Sequence, residues 1–271
     1  MEKIDLNANA SVPILGFGTW KLQGDVCEQA VLDALKVGFR HLDTADSYAN
    51  HKKVGAAIRR SSLPREEIFL TTKLWHEKLT KEEVKDCVQR FLEELQVNYI
   101  DLLLIHWPNH LVPIEETLEA MNRCKEDGVV KAIGVSNFTI KHLEETKKTG
   151  FEVSVNQIEF HPSFNQKELK EYCDHNKITI EAHSPNGQGR DLLVPEIIDI
   201  ARKHFATEYQ AILAWLRQKG IVALPKSTNP KHMRENLESL KLNLKDNEIE
   251  VIENLPQGER VIDFAFSEFK S

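Results

Sequence analysis

What the 271-residue chain lacks narrows it first. Its four cysteines, at 27, 87, 124 and 173, are scattered and form no CxxC pair, so a reduced compartment is the simple expectation. No apolar run approaches the ~20 residues that span a bilayer. The formal net charge is −7 and no dense basic stretch occurs, which argues against nucleic acid or an anionic membrane surface as the main partner. The opening MEKIDLNANA lacks the basic-then-apolar order of a secretory signal, so the cytoplasm is the expected location. The eleven histidines make no HExxH, and His106 and His110 are a bare i, i+4 pair interrupted by Pro108, so no zinc site is expected. No GxSxG elbow is present, which sets aside that hydrolase class. No linker, low-complexity tract or composition break divides the chain, so one domain over 1–271 is expected.

What is there is a rhythm. Short apolar, strand-like segments fall at 14–18, 39–43, 68–72, 100–105, 131–135, 153–158, 178–182 and 221–224. Eight is the number a closed parallel barrel needs, and about 250 residues is its usual size. Helical patterns lie between them. Residues 25–37 stop at Gly38, and residues 80–96 open with Thr80 and Glu83 spaced as a capping box. Residues 114–127, 139–149 and 165–175 repeat the theme, and 139–149 closes on Gly150. Residues 194–204 and 207–219 supply two helices where the rhythm needs one, and 230–240 and 246–254 complete the set. Residues 3–14 read as a small hairpin around a polar turn at Asn7–Asn9. The expected fold is α/β: a single (β/α)8 TIM barrel with an N-terminal β-hairpin and extra helices near the C-terminus. The rival, an open doubly wound sheet, expects a GxGxxG turn after its first strand. GFGTWKL at 16–22 lacks the third glycine.

Active sites on parallel barrels sit at the C-terminal strand ends. Asp43, Lys73 and His106 fall at or just past three such ends, and Tyr48 follows Asp43 closely. Singly, each has an ordinary structural role open to it: a helix cap, a solvated strand end, a core histidine, a loop aromatic. Together they make a chemical group. A tyrosine hydroxyl titrates near 10, too high for efficient proton transfer near neutrality. An ammonium beside it stabilises the phenolate and lowers that value, which Lys73 can do while Asp43 holds it in place. His106 can hydrogen-bond a carbonyl oxygen and stabilise negative charge as it develops. Such a set suits protonation of a carbonyl during its reduction.

The motifs GFGTW, GFRHLDTADSYAN, TTKLW, LLLIHWP, GVSNF, VNQIEFHP and ALPKS, in this order and spacing, resemble those of the aldo-keto reductases over nearly the whole chain. The resemblance implies that Asp43, Tyr48, Lys73 and His106 form the catalytic tetrad, with Tyr48 as general acid. It implies a nicotinamide cofactor, NADPH in the first place, bound in extended form. Ser136, Asn137 and Gln157 would hold its carboxamide, and Thr19 and Trp20 would lie beside the ring. Ser184 and Gly187 would approach the pyrophosphate, Lys226 and Ser227 the 2′-phosphate, and Glu235 and Asn236 the adenine. Trp20, Trp75 and Trp107, with Tyr48 and His106, would line the substrate pocket.

The chain departs from that pattern in four places. His183 stands where the family has a tyrosine or tryptophan stacked on the nicotinamide. Asn186 replaces the leucine of SPLG, and His51 replaces a glutamate. His232 replaces an arginine that clamps the 2′-phosphate, trading a permanent, forked cation for an imidazole that is mostly neutral at pH 7. A weakened preference for NADPH over NADH is expected. The segment after His106 and the C-terminus GERVIDFAFSEFKS are short, as in the compact microbial branch that includes the 2,5-diketo-D-gluconate reductases. The resemblance therefore implies small aldehydes, 2-oxoaldehydes or keto sugar acids as substrates, and a monomer. Two other uses stay open: a non-catalytic nicotinamide-binding regulatory module, and a Schiff-base isomerase or lyase acting through Lys73. The second leaves the SNF, NQ and PKS segments without a purpose.

Overall fold

The computed structural model describes residues 1–6 and 10–269. Lys3–Leu6 (β1) and Ala10–Pro13 (β2) pair antiparallel, as the hairpin expectation has it; the turn expected at Asn7–Asn9 lies outside the described residues. Eight parallel strands follow in strictly sequential order: Phe17–Gly18 (β3), His41–Asp43 (β4), Phe69–Leu74 (β5), Ile100–Ile105 (β6), Val130–Ser136 (β7), Val155–Glu159 (β8), Thr179–His183 (β9) and Val222–Ala223 (β10). Leu15 pairs in parallel with Ala223, and the Gly16 N–H donates to the Ala223 carbonyl at 2.9 Å, so the last strand meets the first and closes the barrel. β6, IDLLLI, is buried at every position, as a strand covered on both faces must be. β5 is also wholly buried, yet carries Thr71, Thr72 and Lys73, so part of the barrel interior is polar.

The strands are followed by Gly24–Val37 (α1), His51–Arg60 (α2), Lys81–Leu95 (α3), Ile114–Glu126 (α4), Ile140–Lys148 (α5) and Lys167–His175 (α6). Pro195–Lys203 (α7) and Glu208–Gln218 (α8) both lie between β9 and β10, and Pro230–Glu238 (α9) and Asp246–Glu253 (α10) come last. Thus α7 and α10 are the extra helices. The capping box at the start of α3 is present: the Glu83 carboxylate accepts from the Thr80 N–H at 3.2 Å.

One helix, α2, escaped the sequence reading. Its buried face is His51, Val54, Gly55, Ala57 and Ile58, with only two large aliphatics to mark it. Gly55 explains the packing: a Cβ there would lie 2.2 Å from the Leu95 carbonyl oxygen, so only glycine lets α2 approach the end of α3 this closely. The hairpin feeds straight into β3 and therefore sits at the N-terminal end of the strands. The opposite end is crossed by residues 258–269, where the Gly258 N–H donates to the Ser163 carbonyl at 2.8 Å. No helix among the described residues is long and apolar enough to cross a membrane.

Candidate active site

Asp43 ends β4, and Lys73 lies one residue from the end of β5. His106 follows β6, its N–H donating to the Leu74 carbonyl at 3.0 Å. Tyr48 ends a short 3-10 turn, Asp46–Tyr48, that leaves β4. Adjacent parallel strands carry these side chains to one place. The Lys73 ammonium, fully buried, donates to Asp43 Oδ1 at 2.7 Å and to the Thr44 carbonyl at 2.9 Å, and lies 3.4 Å from the Tyr48 hydroxyl. The Tyr48 and His106 rings meet edge to face at 5.7 Å. Ser47 Oγ stands 3.4 Å from His106 Nδ1, which fits the tautomer with its proton on Nε2.

The charges divide cleanly. Burial pushes the Tyr48 phenol above its usual value and Asp43 pushes the same way, while the Lys73 ammonium and its hydrogen bond pull it down. The net direction is upward, so in the protein alone burial outweighs the lowering expected from Lys73. Burial works against the Lys73 charge, but Asp43 and Tyr48 overcome it and hold the ammonium above its ordinary range. Burial, with Lys73, His183 and His76, drives His106 well down. The arrangement is thus a neutral phenol, a firm cation and a neutral imidazole. It can protonate an oxygen placed between Tyr48 and His106 and stabilise the phenolate left behind.

A cavity of about 670 Å3 opens at this end of the barrel. Asp43, Tyr48, His106, Trp20, Trp75 and Trp107 line it on the side of the tetrad. Asn137, Gln157, His183, Ser184 and Lys226 line it as well, together with Asn186 and Gln188, and Gln157 Nε2 reaches Asp43 Oδ2 at 2.9 Å while Asn137 Nδ2 reaches the His106 carbonyl at 3.0 Å. Other expected residues are not on its wall. Thr19 is buried and its hydroxyl donates to the Asp43 carbonyl at 2.8 Å, which steadies the end of β4. Ser136 is buried and donates to the Gln157 carbonyl at 2.8 Å. Gly187 lies behind the wall, where a Cβ would press on the His161 ring at 3.0 Å. Ser227, His232, Glu235 and Asn236 lie beyond Lys226, on α9 and the turn before it. The Ser227 hydroxyl accepts from the Asn229 N–H, His232 is exposed, Glu235 lies 3.7 Å from Lys231, and Asn236 is buried.

Several side chains in and around the cavity were not singled out from sequence. Ser47, Tyr209, Ile262 and Phe264 line it. Phe264, Phe266 and Phe269 each meet Trp107 edge to face, and Phe266 also stacks on His76 at 4.2 Å. The aromatic spacing in FAFSEF was the available signal, but only the fold shows that it returns to Trp107. The tail is held by Glu159, whose carboxylate accepts from the Val261 N–H at 2.7 Å and the Ile262 N–H at 2.8 Å. His51, expected to stand in place of a glutamate, is buried at the start of α2 and bonds Glu94 and Thr72 at 3.1 and 2.8 Å, away from the cavity wall.

A parallel eight-stranded barrel with a lysine-bridged tyrosine and a neutral histidine at its strand ends defines a class of barrel oxidoreductase. Comparison with known proteins names it. The Aldo/keto reductase family model matches residues 14–256, and the chain belongs to that family and is an oxidoreductase. It is 38% identical over 262 residues to the glyoxal reductase of Bacillus subtilis (strain 168), covering 96% of this chain and 95% of the relative. It is 36% identical over 301 residues to aldehyde reductase YPR1 of Saccharomyces cerevisiae, covering 98% and 95%. Among solved structures, the aldo-keto reductase MGS-M4 from a Medee basin deep-sea metagenome library superposes with a TM-score of 0.93 at 36% identity, covering 96% of this chain and 97% of that one.

Proposed function

We propose that this protein reduces the carbonyl group of small aldehydes, 2-oxoaldehydes or keto sugar acids to an alcohol, using NADPH or NADH. The observation that carries this is the Lys73 ammonium set between Asp43 and the Tyr48 hydroxyl at 2.7 and 3.4 Å, beside a neutral His106. A substrate carbonyl oxygen sits between the Tyr48 hydroxyl and His106 Nε2. His106 donates a hydrogen bond and orients it. Tyr48 gives its proton to that oxygen, and Lys73, kept charged by Asp43, stabilises the phenolate. Trp20, Trp75, Trp107 and Phe264 form an apolar wall that holds the substrate's carbon skeleton and limits water. The names of the relatives, glyoxal reductase and aldehyde reductase among them, support small carbonyl compounds as the substrate class.

The cavity suits a nicotinamide dinucleotide. Amide side chains, Asn137 and Gln157, bond to His106 and Asp43 of the tetrad, and an exposed cation, Lys226, is also on the wall, which matches an amide head and an anionic tail. Bound there, the nicotinamide supplies the hydride that the carbonyl carbon accepts. Asn137 and Gln157 hold its carboxamide, Trp20 and His183 flank the ring, and Ser184 with the 187–189 turn faces the pyrophosphate. Lys226, Ser227 and His232 meet the 2′-phosphate, and Glu235 and Asn236 the adenine. With His232 in place of a forked cation, NADPH is favoured over NADH only modestly. The barrel acts as one domain and as a monomer in the cytoplasm.

The test is steady-state loss of reduced-nicotinamide absorbance with NADPH and with NADH. The substrates are methylglyoxal, an aromatic aldehyde and a keto sugar acid. Turnover with at least one pair is expected. Tight dinucleotide binding with no turnover on any of them would move the protein to a regulatory, non-catalytic use.

A further inference from the structure

Beneath the tetrad lies a buried acid that the proposed chemistry does not use. Glu181 is on β9, opposite Gln157 of β8 in the strand register, and is 0% exposed. Gln157 Nε2 donates to Asp43 Oδ2 at 2.9 Å and to Glu181 Oε2 at 2.9 Å. An amide nitrogen has two hydrogens, so both are spent on these two acids. We propose that Glu181 is a positioning residue: by taking the second amide hydrogen of Gln157 it turns the Gln157 carbonyl oxygen toward the cavity, and so makes that point of the site selective for an N–H donor. This rests on the nicotinamide-binding reading above.

Gln157 is the hydrogen-bond partner of Glu181 among the described residues. Glu181 Oε1 has no hydrogen-bond partner among the described residues. The nearest basic group is His41 Nε2 at 4.0 Å, and that nitrogen already meets Thr71 Oγ1 at 3.0 Å. The cation in this layer, Lys73, is balanced by Asp43. Ionised, Glu181 would add an uncompensated charge to a dry interior, which is strongly unfavourable. A neutral carboxyl is the form the site accommodates, and its Oε2 still accepts from Gln157. Burial, with Asp43, accordingly raises the Glu181 carboxyl to about 8.

The neighbouring amide is arranged differently. Asn137 Nδ2 donates to the His106 carbonyl at 3.0 Å and to Ser136 Oγ at 3.1 Å, and Asn137 Oδ1 meets His183 Nε2 at 3.1 Å. Both amides therefore have their hydrogens bound by protein. Of these two amides, Asn137 has its oxygen on His183, while Gln157 is the one whose oxygen has no partner among the described residues. A ligand group there gains a hydrogen bond if it brings N–H, and meets lone-pair repulsion if it brings only acceptors.

The test is binding rather than turnover, read by tryptophan fluorescence on the full chain. Three dinucleotides are compared: the carboxamide NADP+, its 3-acetylpyridine analogue, which lacks the N–H donors, and its nicotinic acid analogue, which carries a carboxylate. The wild-type protein should bind the carboxamide about threefold to tenfold more tightly than the acetyl analogue, the range of one hydrogen bond, and the carboxylate more weakly still. In Glu181→Leu the carboxamide-to-acetyl ratio should fall about twofold to threefold, because Asp43 alone then holds the Gln157 amide and its oxygen is no longer fixed toward the cavity. Glu181→Gln, which can still offer an acceptor to Gln157 Nε2, should restore the preference. A wild-type protein that binds the carboxylate as well as the carboxamide overturns the proposal without any variant. So does Glu181→Leu with an undiminished ratio. If none of the three dinucleotides binds, the nicotinamide reading itself fails, an outcome distinct from binding without discrimination.

Discussion

The floor of the cavity and its far rim are built in opposite ways. On the floor, Lys73, Asp43, Gln157 and Glu181 are each at most 3% exposed and are linked by bonds of 2.7 to 2.9 Å from β5 through β4 and β8 to β9. At the rim, Lys226, Lys231 and His232 are exposed and lie on α9 or just before it. Buried, mutually bonded groups on strands cannot be exchanged one at a time, because each leaves a partner unsatisfied in a dry interior. Exposed side chains on a short helix can be, since solvent screens and replaces what is lost. Under the proposed function the floor is where the reaction is fixed, and the rim where cofactor choice can drift.

The sharpest way to break the contrast is at its centre. Lys73→Met leaves the Asp43 carboxylate buried without its cation. Unfolding in urea should show a loss of about 3–5 kcal/mol, the usual consequence of removing one partner of a buried pair. Turnover should fall at least about a hundredfold, because the Tyr48 phenolate loses its support. A stability change below about 1 kcal/mol, the size of an exposed pair, would remove the distinction between floor and rim.

A smaller effect comes from Glu181 and depends on pH. Its carboxyl titrates at about 8 in the folded protein against 4.5 ordinarily. Below the lower value it is neutral in both states and contributes no difference. Between the two values only the unfolded chain ionises it, so stability is progressively lost as pH rises, levelling off above the folded value. Glu181→Gln removes that penalty. The thermal midpoint of the variant should gain on the wild-type protein between about pH 5 and about pH 8 and then hold level. A difference that stays constant over this range would show that Glu181 is ionised throughout.

The smallest change is expected at the rim. His232→Arg should tighten NADPH binding about twofold to fivefold, the scale of an exposed charge pair, and leave NADH nearly untouched. Direct titration of both dinucleotides checks it. An equal change for both would mean that His232 does not face the 2′-phosphate.

The sequence made much of the floor legible because period and chemistry coincide there. A parallel barrel repeats one strand per β/α unit, so Asp43, Lys73 and His106 could be assigned to strand ends from spacing alone. What stayed hidden has physical causes. The α2 helix buries small residues and a histidine, so its apolar stripe is too faint to register. Glu181 looked like one acid in ITIEAHS; only the register of β8 on β9 sets it against Gln157. The tail aromatics Phe264, Phe266 and Phe269 gain meaning from a contact with Trp107 across more than half the chain. The direction of the Tyr48 shift depends on how deeply the phenol is buried, which no local pattern encodes.

The most direct test of the central claim is Tyr48→Phe, with turnover and dinucleotide affinity measured on the same preparation. The phenyl ring keeps the packing against His106 and removes only the hydroxyl that Lys73 faces. The account predicts a loss of turnover of about a hundredfold to ten-thousandfold, with dinucleotide affinity within about twofold of wild type. Turnover retained within about tenfold would contradict it and would place the proton donor elsewhere in the cavity.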